Sequence, residues 1–426
     1  MTKFIFLLSV SGFLFTANIS SGQQPRRCGT MEYLERQKAA DPSIESNMKA
    51  IEEMTQKFEN QPAGLRTSNT VITIPVVFHI LYHNTFQNIS TNRIYDQINT
   101  MNKDYAYQNA DTTNTPAAFR PLAGNTNIQF CLAQQDTSGN YTTGIIRKSV
   151  AATGYDPLSN DSVKFSALGG DDAWDRNNYL NIWVCNFKDS SLAIIGVSQF
   201  PGGNAQTDGC VLLYTTVGGA NYHGTDPFYN LGRTACHEVG HWLNLRHIWG
   251  DDGGTCNGSD FVTDTPNQAD ENFGCPAFPH ISCSNGPNGD MYMNYMDYTN
   301  DNCLNMFTLG QGNRMNAVLN GPRASIKNST KCVDLTVITD PSKPVPFTIY
   351  PNPSAGEFIL TSDLNDASDI HVSITNMLGE IVFQTSQKNV QNLVQKIDLG
   401  RQSNGIYMVE IRTRNGVSTE KLVLNR

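Results

Sequence analysis

Two histidines and a glutamate in one short stretch could bind a metal ion and use it for catalysis. His237 and His241 are four residues apart, so on a helix their rings lie on one face, one turn apart. Glu238 points away from that face, where it could take a proton from a water molecule held at the metal. His247 follows six residues after His241, too far along for the same face of a straight helix. We therefore expect the helix to end near residue 244, so that the chain turns and brings His247 to the same ion.

Three histidine ligands that leave a fourth position for water are typical of a catalytic zinc site. The stretch from His237 to His247 resembles the signature of the metzincin metalloproteinases, H-E-x-x-H-x-x-G-x-x-H. Asn244 stands where that signature has glycine. The glycine serves by adopting a left-handed backbone conformation, and Asn is the residue that tolerates this conformation next best. We therefore expect Asn244 to fill the same role.

A methionine between tyrosines forms a second part of this resemblance. The run Asn294-Tyr295-Met296-Asp297-Tyr298 looks like the Met-turn that metzincins place beneath the zinc. The resemblance implies that Met296 forms an apolar floor and that Tyr298 directs its hydroxyl to the zinc. There Tyr298 could donate to the oxyanion that forms when water attacks the scissile carbonyl. Taken alone, such a methionine is more often an ordinary core residue.

Cys28 lies far from these residues in the sequence but could share their metal. A cysteine thiolate is a strong zinc ligand and could occupy the position that the catalytic water needs. The stretch Arg26-Arg27-Cys28-Gly29-Thr30 resembles the cysteine-switch pro-peptide of the pappalysin family, cytophagalysin branch. Family members mature by cleavage in polar segments such as 60–69, so Arg66 is the expected first residue of the mature protein. The alternative is an ordinary cysteine near a new N-terminus.

A long segment between the histidines and the Met-turn, residues 250–302, is rich in Gly, Asp, Asn and Pro. Its carboxylates are suited to calcium, and resemblance to calcium-binding family members favours Asp264 as a ligand; the alternative is a solvated acidic loop. Four cysteines of this region allow three pairings, and the pappalysin resemblance implies Cys256 with Cys283 and Cys275 with Cys303. Asp301 and Asn302 could line the pocket that follows the scissile bond and favour a basic side chain there.

Alternating strands and helices must position these residues. Apolar, β-branched runs predict strands at 71–82, 127–132, 179–187, 194–200 and 209–214. Helical spacing predicts helices at 90–107, 230–243 and 308–320. The fold class is therefore α+β, with a twisted mixed sheet, an active-site helix and a Met-turn of the metzincin type. The resemblance also implies an upper edge strand that binds extended substrate, for which we choose 194–200.

The last part of the chain has a different composition. A proline-rich linker precedes short alternating strands, predicted at 358–360, 371–375, 380–384, 394–399, 405–412 and 421–424. These strands indicate a small all-β sandwich. Three stretches in it resemble the C-terminal sorting domain of type IX secretion cargo, which implies outer-membrane secretion machinery as a partner: Ile349-Tyr350-Pro351-Asn352-Pro353, Asn376-Met377-Leu378-Gly379 and Gly405-Ile406-Tyr407. The alternative is a carbohydrate-binding or adhesion module.

Bulk properties agree with an exported protein. Residues 1–22 read as a signal peptide, since the apolar run from Phe4 to Phe15 is too short to span a membrane. A net charge of −9 and a pI near 5.4 argue against a nucleic-acid partner. Of the ten cysteines, nine lie beyond the pro-segment, so at least one is unpaired, and Cys236 is the candidate. The predicted boundaries are 1–22 signal peptide, 23–65 pro-segment, 66–333 catalytic domain, 334–346 linker and 347–426 sorting domain.

The sequence thus predicts a secreted zinc endopeptidase made as a latent zymogen, with protein or peptide substrates. Two alternatives remain open. One is a zinc hydrolase of a non-peptide substrate, and the other is a catalytically silent zinc-binding or adhesion protein. An intact Glu238 argues against the silent protein, because such a protein need not keep its general base.

Overall fold

A computed structural model describes residues 27–62, 70–140, 142–188, 193–332, 344–377, 381–413 and 416–426. The predicted signal peptide, Arg66 and most of the predicted linker lie outside these ranges. Among the described residues, no helix is both long and apolar enough to cross a membrane.

A seven-stranded mixed sheet forms the framework of the predicted catalytic domain. Its strands are β1 (Arg27–Cys28), β2 (Ile72–Tyr82), β3 (Ile128–Leu132), β4 (Ile145–Ser149), β5 (Leu180–Cys185), β6 (Ile194–Ser198) and β7 (Cys210–Leu213). The order is β1-β6-β7-β5-β2-β3, and β4 also pairs with β2. All pairings are parallel except that of β6 with β7. The predicted strands are confirmed. β4 was not predicted, because Ile145 and Ile146 are its only apolar residues.

Three helices pack with this sheet, close to where the sequence predicts them. They are α3 (Thr91–Tyr105), α4 (Arg233–Trp242) and α5 (Leu309–Leu319). Ser90 caps α3 by accepting a hydrogen bond from the Arg93 amide. Thr308 and Gln311 form a reciprocal capping box at the start of α5. A large core of buried side chains lies between the sheet, α3, α4 and α5, and it includes Met296 and Tyr298.

The predicted pro-segment is folded onto this framework. After β1 come two helices, α1 (Thr30–Ala40) and α2 (Ser43–Glu59). β1 extends the sheet by pairing in parallel with β6. Without β1, β6 is therefore the edge strand on this side of the sheet, where we expect extended substrate to bind. Leu34, Ile44 and Met48 of the two helices form a small apolar cluster with Phe200.

The C-terminal part is all β, as predicted, but its strands are longer than expected. They are β8 (Thr348–Tyr350), β9 (Glu357–Asn376), β10 (Ile381–Asp398), β11 (Gly405–Thr413) and β12 (Gly416–Leu424), in the order β10-β9-β11-β12 with β8 paired to β9. Four of the predicted short strands merge into β9 and β10, because cross-strand pairing continues through their polar middle residues with shifts in register. A separate core forms from the apolar residues of this part.

All ten cysteines are described. Disulfides join Cys131 to Cys332, Cys256 to Cys283 and Cys275 to Cys303. Four buried cysteines are free, namely Cys28, Cys185, Cys210 and Cys236. The free Cys236 thiol donates to the Asp104 carboxylate at 3.2 Å.

Candidate metal centre

Three imidazoles converge at one point beneath the sheet edge. Two of them, His237 and His241, are on α4, and both are buried. α4 ends at Trp242, and Asn244 then adopts a φ of 72°, which confirms the left-handed conformation expected there. This turn returns the chain, so that the His247 ring comes to the same point. The Nε2 atom of His241 lies 3.1 Å from Nε2 of His237 and 3.1 Å from Nε2 of His247.

The opposite nitrogen of each ring is held by an oxygen atom. Nδ1 of His237 lies 2.7 Å from the Tyr295 carbonyl, and Nδ1 of His241 lies 2.8 Å from the Leu245 carbonyl. Nδ1 of His247 lies 2.6 Å from the Asp251 carboxylate. Because Nδ1 must donate to these acceptors, each Nε2 presents a lone pair to the shared point.

This donor set fits a divalent metal ion. Burial and the neighbouring histidines lower the pKa of His237 to about 3 and that of His241 well below its ordinary value, so both rings are neutral. Neutral imidazoles whose lone pairs face one another at 3.1 Å are stabilised by a cation between them. Cys28 joins the group, and the four ligand atoms lie within 4.8 Å of one another. Among the described residues this is the one group of three or more His, Cys, Asp or Glu side chains with that spacing.

Glu238 faces away from the histidines and toward the edge strand. Its Oε2 atom accepts hydrogen bonds from the Thr30 hydroxyl at 2.9 Å and from the Cys28 thiol at 3.5 Å. Burial raises the pKa of Glu238 to about 8, against the lowering effect of these two hydrogen bonds. Gly196 on β6 leaves the room for this carboxylate, because a Cβ atom there would lie 2.3 Å from Oε1. Thr30 also accepts a hydrogen bond from the Ser198 amide, and thereby joins the pro-segment to β6.

The Met-turn residues lie under and beside the three histidines. Met296 packs against α4 so closely that a Cβ atom on Gly240 would lie 2.6 Å from its Sδ atom. The Tyr298 hydroxyl donates to the Cys28 carbonyl at 3.2 Å and lies 3.1 Å from Nε2 of His247. Asp297 holds the turn by accepting hydrogen bonds from the backbone and side chain of Asn272.

A narrow pocket beside His237 and Glu238 includes Asp301 in its lining. Oδ2 of Asp301 accepts from the backbone amides of Leu231 and Arg233 at the start of α4. Oδ1 is buried and has no hydrogen-bond partner among the described residues. Burial raises the pKa of Asp301 to about 7. The sequence predicted that Asp301 and Asn302 both line this pocket. Asn302 is exposed and does not line it, so the prediction is wrong for Asn302.

The remaining predicted residues lie in the long segment that precedes the Met-turn. The Asp264 carboxylate accepts from the Thr308 hydroxyl and the Gly310 amide, which places it at the start of α5. It belongs to no metal-type group of side chains within the described ranges. Calcium binding at Asp264 therefore stays a prediction. The two disulfides of the segment have the pairing that the resemblance implied.

Several contributing residues are not identified from the sequence. Thr30 belongs to the stretch around Cys28 but had no predicted role, and Gly196 acts through a tertiary contact with Glu238. Asp251 has a weak local signal, since it follows His247 by four residues. Trp249 is a further case, because its ring stacks on that of His247 with the centroids 4.4 Å apart.

Comparisons with known proteins show which family the chain resembles. Residues 166–320 match a peptidase family model described as "Pregnancy-associated plasma protein-A", and residues 348–425 match a "Secretion system C-terminal sorting domain". An extracellular metalloprotease of Neurospora crassa is 30% identical over 312 residues, which cover 71% of this chain and 90% of that protein.

Two solved metalloprotease structures are also similar to this chain. A promirolysin variant of Tannerella forsythia is 43% identical with a TM-score of 0.65, over 71% of this chain and 97% of that one. Mature mirolysin of the same organism, in complex with a cleaved peptide, is 47% identical with a TM-score of 0.59, over 62% and 99% of the two chains. The chain therefore belongs to the pappalysin family of metalloproteases, and it is a secreted member that carries a C-terminal type IX sorting domain.

Proposed function

We propose that this protein is a zinc-dependent endopeptidase of the metzincin type, made as a latent zymogen. The observation that carries the proposal is the convergence of three imidazoles beside a buried carboxylate that faces β6. Held by His237, His241 and His247, zinc would polarise the scissile carbonyl and increase the acidity of water.

The residues of the chain supply the remaining chemistry. Glu238 accepts a proton from the attacking water and then passes it to the leaving amine. Its high pKa in the buried site favours this return step. The Tyr298 hydroxyl, beside His247, donates to the oxyanion of the transition state. The backbone of β6 binds the substrate as an added strand, since it already binds β1 in this way.

Latency follows from the position of Cys28. Its Sγ atom lies with the three histidines and within reach of Glu238, where water and substrate would otherwise be. Burial and the neighbouring Glu238 raise the pKa of the thiol, so the thiolate forms here only with a cation to stabilise it. We propose that cleavage in the polar segment at 60–69, before Arg66, releases the pro-segment and frees the site.

A preference for basic residues after the scissile bond extends the proposal. Asp301 presents a buried carboxylate oxygen without a partner in the pocket beside Glu238. An arginine or lysine side chain of the substrate would pair with it. The outer-membrane secretion machinery is the proposed partner of residues 347–426.

Metal removal and one substitution test this proposal in the complete precursor. Trypsin cuts after arginine, so a trace of it nicks the wild-type protein and Glu238→Ala between Arg66 and Thr67, one residue beyond the proposed site. The trypsin is then inhibited, and each protein is incubated with an unfolded protein. We expect one zinc per chain in both, cleavage by the wild type alone, loss of activity with a chelator, and recovery with added zinc. A wild type that holds zinc yet cuts no peptide would support the silent binding protein instead.

A further inference from the structure

Tyr33 of the pro-segment fills a site in the catalytic domain. Its side chain is 0% exposed, although it belongs to a helix on the outside of the sheet. It packs into the apolar cluster on one face of the sheet, together with Trp183, Val197 and Val211. These three residues belong to β5, β6 and β7, so they remain when the pro-segment leaves.

The phenol hydroxyl of Tyr33 forms hydrogen bonds with two ionisable side chains of the catalytic domain. Its hydroxyl donates to Oδ1 of Asp161 at 2.8 Å and accepts from Nζ of Lys164 at 3.0 Å. Lys164 is 1% exposed, and its Nζ also donates to the Thr207 carbonyl at 2.6 Å. The phenol oxygen thus has both a donor and an acceptor within a buried site, which an apolar side chain would leave unsatisfied.

The ring of Tyr33 is recognised as well as its hydroxyl. Nζ of Lys164 lies 4.7 Å from the Tyr33 ring centroid and 5.3 Å from that of Trp183. A cation at this distance from two aromatic rings is attracted to both. An empty pocket would lose the contact with the first ring and expose Lys164 to water.

The Tyr33 pocket lies beside Val197 near the end of β6, on the face of the sheet opposite Glu238. The Asp301 pocket lies beside Glu238 near the start of β6. Arg27 pairs with Ile194 at the start of β6, and it lines the Asp301 pocket. Thr30 then bonds to Ser198 at the end of β6, and Gln37 bonds to Gln199 beyond it. The chain therefore leads from the Asp301 end, past Cys28, to the Tyr33 pocket. The helical path from Cys28 to Tyr33 corresponds to roughly two or three residues of extended chain.

We propose that the pocket formed by Asp161, Lys164 and Trp183 becomes a subsite for a tyrosine side chain of the substrate once the pro-segment has left. This inference rests on the proposed endopeptidase function. Because the Asp301 pocket receives the residue after the scissile bond, the tyrosine lies on the amino side of that bond. Phenylalanine fits the apolar wall but leaves Asp161 and Lys164 without the hydroxyl.

Cleavage of a peptide series tests this subsite in the mature protein obtained from the complete precursor. Each peptide has arginine after the scissile bond and Tyr, Phe, Leu or Ala at one of the four preceding positions. We expect kcat/KM to favour Tyr over Phe roughly tenfold at one position. Asp161→Asn should reduce this ratio, whereas Asp366→Asn, the same change on the surface of the sorting domain, should keep it. A ratio near one at all four positions overturns the subsite and leaves the endopeptidase function intact.

A binding measurement gives a readout without catalysis. A fluorescent peptide of residues 29–41 lacks Cys28, and we expect it to bind the mature protein roughly tenfold more tightly than its Tyr33→Phe form. Lys164→Met should remove this difference, as should Asp161→Asn. Equal affinities of the two peptides for the unchanged protein overturn the proposal. If no peptide of the series is cleaved, the proposed function fails, and the binding comparison still decides whether the pocket selects a phenol.

Discussion

At the scale of single residues, the Asp301 carboxylate combines two roles that one substitution can separate. One oxygen caps the start of α4, and the other lies unpaired in the pocket beside Glu238. Asp301→Asn keeps an oxygen for the two backbone amides but removes the charge. We expect kcat/KM for peptides with arginine after the scissile bond to fall roughly 100-fold, and that for leucine peptides to change little. An equal loss for both peptides would show that the cap alone matters.

The pKa of Asp301 adds a pH dependence to this specificity. Burial raises the pKa to about 7, so the carboxylate that binds arginine forms only as pH rises through that value. We expect the preference for arginine over leucine to be greatest above pH 7 and to decline as pH falls below it. The ratio of kcat/KM values between pH 5.5 and 8.5 measures this, and Asp301→Asn provides the control, since its ratio should be flat.

Residue types and short spacings predicted the three histidines and the glutamate that the structure brings together, whereas their tertiary partners could not be predicted. His237, His241 and Glu238 share one helix, so their relation is local and visible in the sequence. The left-handed turn at Asn244 could be predicted because few residues other than glycine tolerate that backbone conformation. Thr30, by contrast, touches Glu238 across 208 residues of sequence, and a threonine after a glycine carries no signal of this contact.

At the scale of elements, α2 is joined to the active-site turn through α5. Arg314 of α5 is fully buried, and it pairs through both terminal nitrogens with the Glu52 carboxylate of α2. Its Nε donates to the carbonyl of Asn244, the residue that turns the chain toward His247. The predicted pro-segment thus contacts the candidate metal centre at two places, directly through Cys28 and at a distance through Glu52. α5 was predicted from its spacing and α2 was not, and the pair between Arg314 and Glu52 depends on the packing of α2 on α5.

Glu52→Gln tests the second contact. A neutral amide in place of the carboxylate leaves the buried Arg314 without its ion-pair partner, which should weaken the docking of α2 by roughly 2 kcal/mol. We expect faster hydrogen exchange across residues 43–59 and faster tryptic cleavage of the precursor at Arg66. Glu53→Gln is the matched control, since Glu53 is the exposed neighbour. The mature proteins should have the same activity, because residue 52 is absent from them; unchanged exchange in the Glu52 variant would contradict the argument.

At the scale of the whole molecule, two separate cores correspond to the two parts that the composition predicts. The catalytic core and the C-terminal core share no buried residue. The β structure of the sorting domain was predicted from turn residues and from the alternation of apolar and polar side chains. Because β9 and β10 contain polar residues in their middle parts, each was predicted as two shorter strands. All four tryptophans lie in the catalytic part, so their fluorescence reports its unfolding alone.

The Cys131–Cys332 disulfide closes a loop that runs from the end of β3 to the last described residue before the linker, and it leaves β2 and α3 outside that loop. It spans 201 residues, whereas Cys275–Cys303 spans 28. If a crosslink acts mainly by restricting the unfolded chain, the longer loop stabilises more, by about 2 kcal/mol for this ratio of lengths. Urea unfolding of the two double Cys→Ala variants, followed by tryptophan fluorescence, measures the difference. Equal losses would mean that strain in the folded state or residual structure in the unfolded chain, rather than loop entropy, sets the contribution of the long crosslink.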